Sequence, residues 1–127
     1  MVRMLRLLLG LSAVALLSPA ASAQDDPDSL VTATRQLDSG VALARRQIAA
    51  NDLTGALGTL ERVLFAYPEV VPPRLLYASL LCRLDDRQGA ELELGLLAGK
   101  AIADSDWAGV TAACGAMPRP PRKRPKR

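Results

Sequence analysis

Histidine is absent from the sequence, and cysteine occurs only twice. Histidine is the commonest general base of enzymes and the commonest metal ligand, so its absence removes the usual proton-transfer groups. Two cysteines are too few for a four-ligand structural zinc site. No Ser or Cys has a histidine to activate it, and no glycine-rich phosphate loop occurs. We therefore expect no catalytic site, no metal site and no cofactor.

Long apolar runs are also scarce, and the one that occurs lies at the N-terminus. Arg3 and Arg6 precede the apolar run Leu7 to Leu17, and the small residues Ala21 to Ala23 follow it. This order is typical of a secretory signal peptide. The run is too short for a bilayer span, which takes roughly 20 residues. We expect a signal peptide at residues 1–23, an exported protein that is periplasmic or secreted, and no transmembrane segment after cleavage.

The remaining chain has an acidic body and a basic end. Residues 24–118 hold eight Arg or Lys against thirteen Asp or Glu, a net charge of −5, whereas residues 119–127 hold six cations. Residues 24–36 form an acidic lead-in, and residues 118–127 form a basic, proline-rich tail that we expect to be disordered. A solubilising role and contact with an anionic surface are alternatives for this tail. It lacks aromatic residues for base stacking, so no nucleic-acid partner is expected.

Between these ends, apolar residues recur with helical spacing, which predicts an all-α fold. Proline and turn residues divide the pattern into segments. The predicted helices run from after Ser29 to Ala50, from Leu53 to Tyr67, from Pro72 or Pro73 to the turn "DDRQG", from Ala90 to Ala98, and from Asp104 or Ser105 onward.

Two of the turns are nearly identical in sequence. The stretch "NDLTGAL" begins at Asn51 and "DDRQGAE" begins at Asp85, so that each matching pair of residues differs by 34 positions. Two helices per 34 residues is the plan of the tetratricopeptide repeat. The second helix of that repeat has a small residue, a large residue four positions later, and a proline after the helix. These positions are occupied by Ala56, Leu60 and Pro68, and then by Ala90 and Leu94.

The sequence therefore resembles a tetratricopeptide protein over roughly Leu37 to Lys100. The small residue of the first helix is kept at Ala44 and Ala78, but the family's tryptophan is replaced in both units. The resemblance implies a short solenoid of about two helical hairpins within residues 37–117. Two repeats leave apolar faces to be covered, so we expect the segment "DSDWAGVTAACGAM" to form a C-terminal capping helix.

The resemblance also implies a concave groove lined by the first helix of each pair. The family's groove face maps onto Val41, Arg45, Ile48, Leu75, Ser79, Cys82 and Arg83. The arginines are suited to a partner carboxylate and the apolar residues to an apolar anchor, so a protein or peptide partner is expected. The alternative is that Ile48 and Leu75 are core residues and the arginines are merely solvated.

The repeat register places Cys82 late in the first helix of the second pair and Cys114 late in the capping helix beside it. An exported protein with two cysteines has one intramolecular pairing. We expect a disulfide between Cys82 and Cys114, and the alternative is two buried, reduced cysteines.

The expected function is that of an exported, non-enzymatic adaptor that binds another protein, with homo-oligomer formation left open. A second resemblance gives an alternative. The chain is similar to the periplasmic repeat region of surface lipoprotein assembly modifiers, transport proteins in which that region precedes an outer-membrane barrel. Transport itself would need the barrel.

Overall fold

The computed structural model describes residues 27–122, which form six α-helices and no strand. The predicted all-α fold class is confirmed. The helices are Pro27–Thr34 (α1), Leu37–Ala49 (α2), Leu53–Ala66 (α3), Val71–Arg83 (α4), Arg87–Gly95 (α5) and Asp104–Cys114 (α6). None of these helices is long and apolar enough to cross a bilayer. The predicted signal peptide lies outside the described residues.

The helices pack as two hairpins with a helix at each end. Helix α2 pairs with α3 and α4 pairs with α5, while α3 and α4 join the two hairpins. Helix α1 packs on α2 and α3, and α6 packs on α4. The molecule is therefore a short, repeat-like stack of helical hairpins.

The starts of α1, α4 and α5 differ from the sequence-based expectation, and α4 begins at Val71 rather than at Pro72 or Pro73. The single helix expected from after Ser29 to Ala50 is divided into α1 and α2. Helix α1 begins at Pro27 rather than after Ser29, because proline is well placed in a first turn. Helix α5 begins at Arg87 rather than Ala90, because Asp86 caps it. The N-cap residue of α6 is Ala103, whose side chain makes no hydrogen bond to the helix. Asp104 lies in the first turn, where the helix dipole favours a carboxylate.

The two similar stretches form the same turn. Asn51 and Asp85 have φ angles of 60° and 63°, in the left-handed region that Asn and Asp tolerate better than other side chains. The aspartate that follows each of them, Asp52 or Asp86, is the N-cap of the next helix. The repeated sequence is therefore a structural device that reverses the chain between paired helices.

Each of these caps has a glycine three residues later. The carboxylate of Asp52 accepts a hydrogen bond of 2.9 Å from the Gly55 N–H, and that of Asp86 accepts one of 2.8 Å from the Gly89 N–H. A Cβ atom would lie 2.0 Å from Asp52 Oδ2 at position 55 and 2.3 Å from Asp86 Oδ2 at position 89. Any larger residue would push the capping carboxylate away from the helix end.

Small residues bring the paired helices close together. Ala44, Ala56, Ala78 and Ala90 are all fully buried. The large residues Leu60 and Leu94 fill the space beside them and are 0% and 2% exposed. Pro68 is exposed and follows α3, which it prevents from continuing. The alanines and leucines of the repeat pattern thus lie in the buried contacts of the helical hairpins, and its proline follows the first hairpin.

The structure also explains why neither tryptophan of the family pattern is present. Gly40 takes the first of these positions, and a Cβ atom there would lie 2.4 Å from Val63 Cγ2. Arg74 takes the second and is 8% exposed. Its guanidinium donates to the Glu93 carboxylate and, at 2.9 Å, to the carbonyl of Pro68. One position is therefore closed by the Val63 side chain, and the other is filled by a paired cation.

Residues 115–122, which we call the C-terminal strap, lie along α5 and α6. Met117 and Pro120 are buried, and the Gly99 N–H donates to the Pro121 carbonyl at 2.8 Å. Arg119 donates to Ile102 O at 2.6 Å and lies 5.7 Å from the centre of the Trp107 ring. The expectation of an unpacked tail from Pro118 is therefore wrong for the residues up to Arg122. Residues 123–127 lie outside the described part of the chain.

The strap is also held by charge at the start of α6. Arg119 donates to Asp104 Oδ1 at 2.7 Å, and Arg122 lies 3.7 Å from the same oxygen. The hydrogen bond from Arg119 is the main cause that lowers the pKa of the Asp104 carboxyl. From composition alone these arginines are expected to be solvated, because the sequence does not show that Asp104 of α6 lies next to them in the fold.

The two glycines Gly40 and Gly58 provide a test of helix packing. A Gly40→Ala substitution should destabilise the fold by about 1–3 kcal/mol, because its Cβ would clash with Val63. Gly58→Ala is the matched control, since no atom lies within 4 Å of its Cβ, and should stabilise by about 0.4–1 kcal/mol. Urea unfolding measures both. Equal effects would contradict the packing described for Gly40.

The strap can be tested by truncation. Removal of residues 119–127 should lower the melting temperature by roughly 4 °C or more, because Pro120 and the Arg119 contacts are lost. Truncation after Arg122 retains these contacts and is the matched control. Thermal melting followed by circular dichroism compares the two chains. If both truncations melt like the full chain, the strap does not contribute to stability.

Candidate functional site

A groove of about 380 Å³ opens on the face formed by α2, α4 and α6. Besides Cys82, which forms the disulfide, the sequence predicts six groove residues. Five of these six line the groove. These five residues are Arg45, Ile48, Leu75, Ser79 and Arg83. The sixth, Val41, lines an adjoining depression of about 270 Å³ that shares Arg45 and Pro72 with the groove. The predicted residues therefore occupy one continuous surface.

The floor of the groove is apolar and largely part of the core. Leu75 and Leu80 are 3% and 1% exposed, while Ile48 and Leu76 are partly buried and remain accessible. The Ser79 hydroxyl donates to the Leu75 carbonyl at 2.8 Å. Leu75 is therefore a core residue, as the alternative interpretation expected, and it also borders the groove.

The rim carries charges of both signs. Arg45 and Arg83 are exposed, and neither forms an ion pair with any acidic residue between positions 27 and 122. Asp106 lines the same groove from α6. Arg46 is equally exposed and unpaired within this part of the chain but lies outside the groove, so exposure alone does not mark a binding arginine. What distinguishes Arg45 and Arg83 is their position beside an apolar floor.

The third wall of the groove comes from α6, which sequence reasoning assigned only a capping role. Ser105, Asp106, Gly109 and Ala113 line it. No heavy atom lies within 4 Å of a Cβ placed on Gly109, so this glycine leaves open space in the wall. A signal for this wall was present in the sequence. Gly109 and Ala113 follow the groove residues Leu75 and Ser79 by the repeat period of 34 positions.

Cys82 and Cys114 form a disulfide with Cα atoms 5.1 Å apart, which confirms the predicted pairing. The bond joins α4 to α6, and Cys82 is therefore turned toward α6 rather than free on the groove face. It closes a loop with a sequence separation of 32 residues. In the chain-entropy estimate, such a loop stabilises the fold by on the order of 3 to 4 kcal/mol.

Other exposed apolar residues lie on the second helices of the hairpins. Phe65 on α3 is 92% exposed, Leu92 on α5 is 69% exposed, and Leu96, the C-cap of α5, is 62% exposed. None of them lines the groove. In residues 27–122, no three His, Cys, Asp or Glu side chains are grouped as metal ligands would be.

Comparison with known proteins adds no relative to these observations. No protein-family model matches the chain, and neither a curated protein nor a solved structure is significantly similar to it. What the groove binds must therefore be inferred from its own shape and charges.

Proposed function

We propose that the protein is an exported, non-enzymatic, tetratricopeptide-like adaptor that binds a segment of another protein in the groove. The observation that carries the proposal is the combination, on one face, of an accessible apolar floor with two arginines that form no ion pair to an acidic residue in the described part of the chain. Such a surface matches a peptide that offers a carboxylate beside an apolar side chain.

The dimensions of the groove limit the size of the bound segment. Its α4 wall extends from Pro72 to Arg83. At 1.5 Å per residue, this wall is roughly 16 Å long. An extended peptide rises about 3.3 Å per residue, so about five residues fit along it. A volume of about 380 Å³ accommodates a few of their side chains rather than a folded domain.

The charges indicate how the segment is oriented. Arg83 lies in the last turn of α4, and Asp106 lies in the first turn of α6. In the repeat register Asp106 corresponds to Pro72, so the two charges lie near opposite ends of the groove. We expect the carboxylate of the ligand near Arg45 and Arg83, its apolar side chain over Ile48 and Leu76, and any cation near Asp106.

The arginine contacts are tested with peptides selected from a random twelve-residue displayed library on residues 24–127. Arg45→Glu combined with Arg83→Glu should weaken binding of the synthetic selected peptides roughly tenfold or more, because each substitution removes a charge-assisted hydrogen bond and adds repulsion. Isothermal titration calorimetry measures the affinity, and circular dichroism checks that helicity is retained.

The matched control for this charge reversal is Arg46→Glu with Arg62→Glu. It makes the same change in net charge at exposed arginines outside the groove. The control should bind the selected peptides as the unmodified chain does. Equal affinity of the groove variant and the unmodified chain, or equal loss in both variants, would remove the groove as the binding site.

A second test fills the groove without changing its charge. Gly109→Leu should abolish binding of the selected peptides with little loss of stability, because the added side chain enters the open space of the groove. Gly95→Leu is the matched control, since its Cβ also meets no atom within 4 Å and it lies outside the groove. Binding to the filled variant at unchanged affinity would show that the ligand lies elsewhere.

A further inference from the structure

Helix α6 packs along α4 but contributes few fully buried side chains to the core. Val110 is its only fully buried residue, and Trp107 and Cys114 are partly buried. Its N-cap, Ala103, makes no side-chain hydrogen bond to the first turn. A helix of eleven residues with one buried anchor is marginal by itself. Its position therefore depends on contacts outside the helix and on its covalent bond.

The disulfide lies between two walls of the groove. Cys82 immediately precedes Arg83 on α4, and Cys114 immediately follows Ala113 on α6. With Cα atoms 5.1 Å apart, the bond fixes the spacing of the two walls. The groove residue Asp106 has no ion pair to α4 within residues 27–122. A charged contact at the C-terminal end of α6 comes from α5, where Arg87 donates to the carbonyls of Cys114 and Ala116 at 2.7 and 2.5 Å across an exposed surface.

We infer that the oxidation state of the Cys82–Cys114 pair controls the groove. In the disulfide form α6 is held against α4 and supplies the third wall. In the dithiol form α6 separates from α4, and Asp106, Gly109 and Ala113 no longer face the apolar floor. The effect on peptide binding rests on the proposed function, whereas the release of α6 does not.

The chemical step is thiol–disulfide exchange with a dithiol reductant. One thiolate of the reductant attacks a sulfur of the Cys82–Cys114 bond and forms a mixed disulfide, and its second thiolate resolves this intermediate. The protein gains two electrons and two protons and becomes two thiols, while the reductant becomes a disulfide. Both cysteines are partly exposed, so a small dithiol can reach the bond.

The first hairpin should remain folded in the dithiol form because the buried cluster that it forms with α4 contains no residue of α6. This cluster consists of Ala44, Ala56, Leu60 and Leu80. Val110 belongs to a second cluster together with Leu75, Ile102 and Met117. Reduction therefore acts on the C-terminal end of the stack and leaves α2 and α3 packed.

Hydrogen exchange measured by mass spectrometry tests the release of α6 without any ligand. On addition of dithiothreitol, amides of α6 should exchange roughly 100-fold faster or more, while those of α2 and α3 keep their protection. Unchanged protection of α6 would overturn the inference. Equal loss of protection in α2, α3 and α6 would also overturn it, because the bond would then stabilise the whole fold.

The matched control is Cys82→Ala with Cys114→Ala. It should show the fast exchange of α6 without reductant, and dithiothreitol should cause no further change. Any further change would assign the effect of dithiothreitol to a cause other than this disulfide and would contradict the inference.

Peptide binding tests the coupling to the groove. Peptides selected on the disulfide form should bind the dithiol form roughly tenfold more weakly or worse, and reoxidation should restore the affinity. Unchanged affinity with a released α6 would overturn control of the groove. If no peptide is selected even on the disulfide form, the proposed function fails, and hydrogen exchange still decides whether the bond holds α6.

Discussion

Close approach of paired helices is the constraint on which the rest of the structure depends. Ala44 and Ala56 are fully buried in one hairpin, and Ala78 and Ala90 are fully buried in the other. Because a small residue lies at each of these positions, the backbones approach closely and the neighbouring leucines fill the space between the helices. This packing fixes α2 against α3 and α4 against α5, and the contact between α3 and α4 then brings the two hairpins that border the groove together.

The turns complete this packing. A left-handed residue, an aspartate cap and a glycine follow one another in the same order after α2 and after α4. Their recurrence at a fixed interval is visible in the sequence because each of these backbone conformations restricts the residues that can adopt it. The helical hairpins and the disulfide pairing were accordingly predictable from spacing, since both follow from register along the chain.

Features that depend on contacts between distant elements were not predictable in the same way. The prolines and cations of the tail predict disorder. In the structure Arg119 contacts Trp107 and Asp104, because α6 places both residues beside it. Likewise, the role of α6 in the groove required knowing that Gly109 faces the same side as Leu75. The repeat interval pointed to that alignment, but a capping helix without a clear apolar stripe gave no reason to extend the groove onto it.

The strap has a consequence for how copies of the chain can meet. It lies along α5 and α6 and buries Met117 and Pro120, while the exposed residues of α6 include no large apolar side chain. A stack of hairpins grows by adding units to an open apolar end, and here the C-terminal end is closed. A hairpin of a second copy that stacked on this end would therefore have to displace the strap first.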